Sequence, residues 1–259
     1  MDNDSAQQTY RDVMTTEPPA PSSPLERATF DFVFGQVWPR PGLSRRDRRW
    51  VTLACVAAAD APRAIEDHVY AALNSGDIAL PELLEFVLQF AVYCGWPKGS
   101  HVEGVARQQW ARVHSERGEA APPWPVLSSA SLGDNDWEQR LRRGEQEFRD
   151  VNLVSAPPRD TPYNQAGILN FVFGHVWQRP GLSRRDRRII TVACVGIDDS
   201  PLPIMSHVGS ALESGDLTIA EMREIILHFS AYYGFPKAEQ LDRTATDAWA
   251  RITSRQQDA

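Results

Sequence analysis

VWPRPGLSRRDRR spans residues 37–49 and VWQRPGLSRRDRR spans residues 176–188, so that only Pro39 against Gln178 differs. The same offset of 139 residues carries on along the chain. Phe34-Gly35 meets Phe173-Gly174, Trp38 meets Trp177, Cys55 meets Cys194, His68 meets His207, and Tyr93 meets Tyr232. Gly95-x-Pro97-Lys98 meets Gly234-x-Pro236-Lys237, and Trp110 meets Trp249. Self-similarity at one long period means two copies of a module. The first is read over residues 25–118 and the second over 161–255. Residues 119–160 form a Pro/Ser/Gly-rich linker with a charged helix near 136–150, and residues 1–24 a mostly flexible arm in which TYRDVM is able to dock locally. YRDV at 10–13 resembles FRDV at 148–151, one residue out of register.

Each module reads as helices. Over 25–38, Leu25, Ala28, Phe32 and Gly35 fall on one face and Phe30, Phe34 and Trp38 on another. Pro-Gly then marks a turn, and Ser44-x-x-Asp47 and Ser183-x-x-Asp186 are capping boxes opening the next helix. A third helix starts near Pro62 and stops at Gly76. Thr218-x-x-Glu221 caps a fourth; the first copy has Ala79 there and keeps Glu82, so its cap is expected to be weaker. A fifth follows Pro97 and Pro236. No strand-like alternation competes, and the fold class is all-α.

Bulk composition narrows the function. A net charge of −7 argues against nucleic-acid binding, which draws on a basic footprint. There is no run of about 18 apolar residues to span a membrane, and the first 24 residues lack the apolar region of a secretory signal. Three cysteines, none in a C-x-x-C pair, fit a reducing, cytoplasmic setting. No paired-Cys, H-x-x-x-H or H-x-x-E-H spacing points to a metal.

Arg45, Arg46, Arg48 and Arg49 crowd a helix N-terminus, as do Arg184, Arg185, Arg187 and Arg188. Exposed cations there cost roughly 0.3–1 kcal/mol each. Two readings stand: a solvated face with inter-module ion pairs, or guanidiniums that grip a carboxylate. His68 lies beside the apolar face Ile65, Val69, Ala72, Leu73, and His207 repeats it beside Ile204, Val208, Ala211, Leu212. A hydrogen-bonded core histidine is the first reading of such a residue, catalysis the second. Tyr93 and Tyr232 read as core tyrosines before hydroxyl donors, and Trp38 and Trp177 as packing against Pro-Gly. The copies diverge at Glu66/Met205, Tyr70/Gly209, Gln89/His228, His101/Gln240 and Trp50/Ile189. Inequivalent sites are therefore expected, the Glu66–His68 module being the better placed for proton transfer.

The pattern G-x-V-W-x-R-P-G-L-S-R-R-x-R, then H-x-x-x-A-L-x-x-G-x-x-x-x-E, then A-x-Y-x-G-x-P resembles the carboxymuconolactone decarboxylase family across most of both modules. That resemblance implies the all-helical alkyl hydroperoxide reductase D-like fold and an oligomer, here a trimer of double modules. The peroxidase branch carries C-x-x-C-x-x-x-H, and here its thiol positions fall on Ala61 and Ala64, and on Ser200 and Pro203. Its proton-relay carboxylate falls near Arg49 and Arg188. Without a thiolate there is no peroxidatic nucleophile. The decarboxylase branch implies a cofactor-free lyase on a carboxylate- or lactone-bearing small molecule. Arg45, Arg48, Arg49, Arg187, Arg188, Tyr93 and Tyr232 are then the candidates for binding it. His68 and His207, with Glu66, are the candidates for proton transfer near neutral pKa. The competing reading is a non-catalytic scaffold that binds a ligand or partner.

Overall fold

The computed structural model describes residues 3–125, 136–198 and 200–257, and these residues contain helices and no strand. Helix α1 is Asn3–Met14 and α2 is Pro24–Ala28, which continues as a π-helix, π1, over Thr29–Val37. The first module is completed by α3 (Arg45–Ala58), α4 (Pro62–Ser75), α5 (Leu80–Cys94) and α6 (Trp96–Glu116). The second begins with α7 (Trp137–Asn152) and π2 (Tyr163–Phe173). A single 3₁₀ turn over Val176–Gln178 leads to α8 (Arg184–Asp198), α9 (Pro201–Glu213), α10 (Ile219–Tyr233) and α11 (Phe235–Gln257).

The capping boxes start α3 and α8 as expected. Ser44 Oγ accepts from the Asp47 amide (3.1 Å), and Asp47 accepts from the Ser44 amide (3.2 Å). Ser183 and Asp186 repeat both bonds. In α5 only the reciprocal half survives, Glu82 accepting from the Ala79 amide at 2.9 Å. Gly76 ends α4 in the left-handed conformation, φ 73°.

Two expectations are corrected. Residues 3–14 of the arm are helical, with Ala6, Val13 and Met14 buried, and pack against π1 and α4. The charged linker helix α7 packs in the same way against π2 and α9. The YRDV/FRDV echo therefore marks a helix that opens both modules, and the middle of the linker, 126–135, lies outside the described residues. The helix read over 25–38 is also wound differently, as the short α2 followed by π1. Of the two faces read from the sequence, the one with Phe30, Phe34 and Trp38 is buried, while Leu25, in α2, is 77% exposed.

Helices α3 and α8 lie at the centre. Arg48 through Ala58 and Arg187 through Ile197 are buried without interruption, the sign of a helix surrounded on all sides. The packing crosses between modules: α3 meets α8 and α10, and α8 meets α3 and α5. One apolar core thus includes residues of both modules. Polar contacts cross with it. Trp50 Nε1 donates to Asp186 (2.8 Å) and Arg185 pairs with Asp47 (3.2 Å), so each cap is held by the other half.

Candidate functional site

Crossed packing builds two related sites, each finished by the other module's tyrosine. In the first, Trp38 follows π1, Arg49 and Thr52 stand on α3, His68 on α4, and His228 and Tyr232 on α10. Trp38 Nε1 donates to Tyr232 Oη at 2.8 Å, and the Arg49 guanidinium lies 5.4 Å from the centre of the Trp38 ring. The ring centres of His68 and Tyr232 are 5.3 Å apart. Tyr232 also hydrogen-bonds Thr52, whose Oγ1 is 2.7 Å from His228 Nε2. The second site repeats the plan with Trp177, Arg188, Thr191, His207 and Tyr93. Trp177 Nε1 donates to Tyr93 Oη at 3.0 Å, and His207 and Tyr93 lie 5.5 Å apart.

The arginines divide three ways. Arg45 reaches the surface and holds Asp77 with two bonds of 2.7 and 2.8 Å, which is the salt-bridge reading. Arg48 and Arg187 sit between the modules. Arg48 donates to Glu224 (3.0 Å) and to the Arg40 carbonyl (2.9 Å), and Arg187 to Gln89 Oε1 (2.9 Å) and the Arg179 carbonyl (2.8 Å). Arg49 and Arg188 enter the sites beneath the tryptophans. Arg49 donates to Asp77 (3.2 Å) and the Val13 carbonyl, and Arg188 to Asp216 (2.9 Å) and the Val151 carbonyl (2.5 Å). Helix α1 and its twin α7 thus each supply a carbonyl to a site arginine.

Glu66 is not brought to the site. It is exposed, while His68 two residues on is buried, because positions i and i+2 point to different sides of a helix. Trp38 and Trp177, read from sequence as packing residues, are buried in small apolar clusters with Phe34 and Phe173, and their Nε1 groups also donate to the site tyrosines. Thr52, Thr191 and the role of His228 escaped the sequence reading, since each acts only through a partner from the other module. The signal available was the divergence at positions 89 and 228.

Electrostatics holds the site imidazoles neutral. Burial, and then the Arg49 guanidinium, push the His68 imidazole down to about 3; burial and Arg188 do the same to His207. This replaces the near-neutral value anticipated for a proton donor. Burial also lowers His228, which faces Arg48, His68 and Arg49. The tyrosine hydroxyls are raised by burial, against the opposing bonds from Trp38 and Trp177. Cys55 and Cys194 are raised well above the ordinary thiol range by burial, so neither presents a thiolate.

The two sites differ in what they leave unsatisfied. At the first, five buried atoms lack a hydrogen-bond partner: Arg48 Nε and Nη1, Arg49 Nη1, His68 Nδ1 and His228 Nδ1. At the second, His207 Nδ1 is the one such atom among the described residues. There, Arg188 Nη1 is capped by Ser210 Oγ at 2.9 Å, where the first module has Ala71. A cavity of about 480 Å³ adjoins the second site, lined by Tyr93, His207, Asn152 and Ser206 with Phe148 and Phe173 among its apolar walls. No arginine lines it. Among the described residues no cluster of three or more His, Cys, Asp or Glu is arranged to hold a metal, and no helix is long and apolar enough to cross a membrane.

Two relatives are named as decarboxylases. The chain is 35% identical over 79 residues to the nitrosuccinic acid decarboxylase of Metarhizium robertsii, covering 29% of this chain and 54% of that protein. It is 38% identical over 72 residues to the 4-carboxymuconolactone decarboxylase of Acinetobacter baylyi, covering 27% and 51%. The chain thus spans about half the length of these relatives. The profile of the carboxymuconolactone decarboxylase family matches residues 24–108 and again 162–247. Two matches that follow the internal repeat and together span well over half the chain make this a double-module member of the carboxymuconolactone decarboxylase family.

Proposed function

We propose that the chain is a cofactor-free, thiol-independent enzyme of decarboxylase type, acting on a small carboxylate- or lactone-bearing molecule, with the first site as its reacting centre. The carrying observation is the group of five buried, unpartnered nitrogens around His68, Arg49, Arg48 and His228. Buried polar groups are nearly always paired, so nitrogens that the protein itself leaves open are free to meet a ligand or water. Guanidinium N–H groups suit a carboxylate. The relatives' names, both decarboxylases of organic acids, support the same chemistry.

In this reading Arg49 Nη1 receives the substrate's negative charge and goes on stabilising it as it delocalises. The arriving anion offsets the guanidinium, the lesser cause of the low His68 value, and sets its own negative charge beside the ring; against the burial that opposes it, that charge lets the imidazole take up a proton from solvent. The C–CO₂⁻ bond breaks and its electron pair stays on carbon as an enolate-like anion. His68 delivers its proton to that carbon; carbon dioxide and a C–H bond are the products. Tyr232 and Trp38 close the site over the reacting carbon. The second site keeps the same imidazole and tyrosine but spends its guanidinium on Ser210 and Asp216.

A panel of lactone and nitro acids, beginning with those named for the two relatives, tests this by carbon dioxide release. His68→Gln is expected to lower kcat by roughly 10²–10⁴-fold, and His207→Gln to leave it near wild type. Equal losses in the two variants refute inequivalence, and the absence of turnover across the panel with a folded protein returns the chain to the scaffold reading. Trp96 and Phe235, equivalent in the repeat, stand 53% and 62% exposed and support a homo-oligomer. Light scattering at the mass of three chains is the expected result.

A further inference from the structure

We infer that the residue at the paired positions 228 and 89 decides which of the two sites accepts an anion, His228 opening the first to a carboxylate and Gln89 closing the second. The inference deepens the proposed function and rests on it for the identity of the anion as a carboxylate. At the second site Gln89 answers two neighbours at once. Its Oε1 accepts from Arg187 Nη1 at 2.9 Å, and its Nε2 donates to Thr191 Oγ1 at 3.0 Å. Bridging in this way, the amide takes the Nη1 N–H of Arg187 and a lone pair of the hydroxyl that also bonds Tyr93. Ser210 takes the Nη1 N–H of Arg188. Among the described residues, no buried N–H of Arg187 or Arg188 is left without a partner.

At the first site a ring replaces the amide. His228 Nε2 meets Thr52 Oγ1 at 2.7 Å, which keeps one half of the bridge. Its ring lies 4.7 Å from Trp38 and 5.1 Å from Tyr232, centre to centre, and its second nitrogen, Nδ1, does not bond Arg48 as the Gln89 amide oxygen bonds Arg187. Arg48 Nη1 and Nε are left without partners, and His228 Nδ1 with them. Ala71 in place of Ser210 adds Arg49 Nη1 to the open donors. His228 has Arg48, His68 and Arg49 as its charged or titratable neighbours, and Tyr232 and Trp38 against its faces. The carboxylates that balance the two arginines, Glu224 and Asp77, are engaged on their far sides. The remaining donors stand on α3, both guanidiniums near enough to His228 to depress it, and a carboxylate oxygen is the acceptor that a guanidinium fork matches.

The full-length protein in chloride-free buffer, titrated with acetate and separately with uncharged acetamide, tests this. Binding is followed by calorimetry and by NMR of the histidine ring nitrogens. Wild type is expected to bind one acetate per chain, shifting His228 and His68 and leaving His207 still, with acetamide about tenfold or more weaker. His228→Gln recreates the Gln89 bridge and is expected to weaken acetate by about tenfold or more without loss of Tm. Gln89→His is expected to add a second acetate that shifts His207. Gln89→His decides the matter if His228→Gln misfolds, and Ala71→Ser, which caps Arg49 Nη1 and leaves position 228 alone, gives a gentler loss. Unchanged acetate affinity in folded His228→Gln, equal binding at both wild-type sites, or no acetate binding at all overturns the inference. Acetate binding that follows this pattern without turnover on any acid sinks the proposed function alone. Turnover that depends on His68 while His228→Gln still binds acetate normally sinks this inference alone.

Discussion

At the scale of the residue, three histidines kept neutral by burial make acid the enemy of this fold. His68 and His207 titrate near 3 in the native protein and near 6.5 when unfolded, and His228 is lowered as well. Between those values the unfolded chain binds protons that the native chain refuses, so stability is full above pH 6.5 and falls as pH drops towards 3. Urea midpoints at pH 7.5 and pH 5 should show the loss, and His207→Gln should flatten the slope by about one proton. The groups facing these rings, Arg49 and Arg48 on one side and Arg188 on the other, act in the same direction. A bound anion reverses their effect, so acetate affinity should rise as pH falls. The histidines themselves were legible, being polar residues repeated beside an apolar helix face. Their setting was not, because Tyr232 lies 164 positions beyond His68 and no local pattern joins the two. Glu66 misled for the opposite reason: nearness in sequence is not nearness on a helix.

At the scale of the element, the caps and breakers were readable because their chemistry is local. Ser44-x-x-Asp47, Ser183-x-x-Asp186, Gly76 and the prolines after positions 95 and 234 all stand where the sequence puts a helix end. The π segments were not readable, since their wider turn is chosen by what they pack against. Helix α7 shows how tight that packing is. A Cβ on Gly144 would come within 1.7 Å of the Leu169 carbonyl oxygen of π2, backbone against backbone. Gly144→Ala should therefore destabilise the protein by about 3 kcal/mol or more, since overpacking that side chains cannot relieve moves main chain. Gly104 in α6 meets nothing within 4 Å, and Gly104→Ala should stabilise by about 0.5–1 kcal/mol through helix propensity alone. Thermal melts of the two variants side by side check both, and equal shifts of the same sign refute the packing assignment.

At the scale of the whole molecule, the repeat was legible to the residue and the crossing of its halves was not. Offset and motif order establish that there are two modules, but which helix of one lies on which helix of the other depends on surfaces. The described structure answers with α3 against α8 and α10, and with Arg40–Glu224 (2.7 Å) mirrored by Arg179–Glu85 (2.5 Å). A protease site inserted within residues 126–135 should accordingly leave two fragments that stay together through native size-exclusion chromatography and part only in denaturant. Fragments that separate under native conditions contradict the shared core. Each half expressed alone is expected to aggregate, because α3 or α8 would then expose a side that is now fully covered.

The exchange of tyrosines between the halves also bears on how such a protein changes over time. In a dimer of identical chains every substitution lands at both sites, so a variant that improves one chemistry must be tolerated twice. Joining the copies end to end lifts that constraint. Residues 71 and 210, or 89 and 228, are free to go separate ways while the pair still folds as a unit. One site can then hold to its original task as its twin drifts to another.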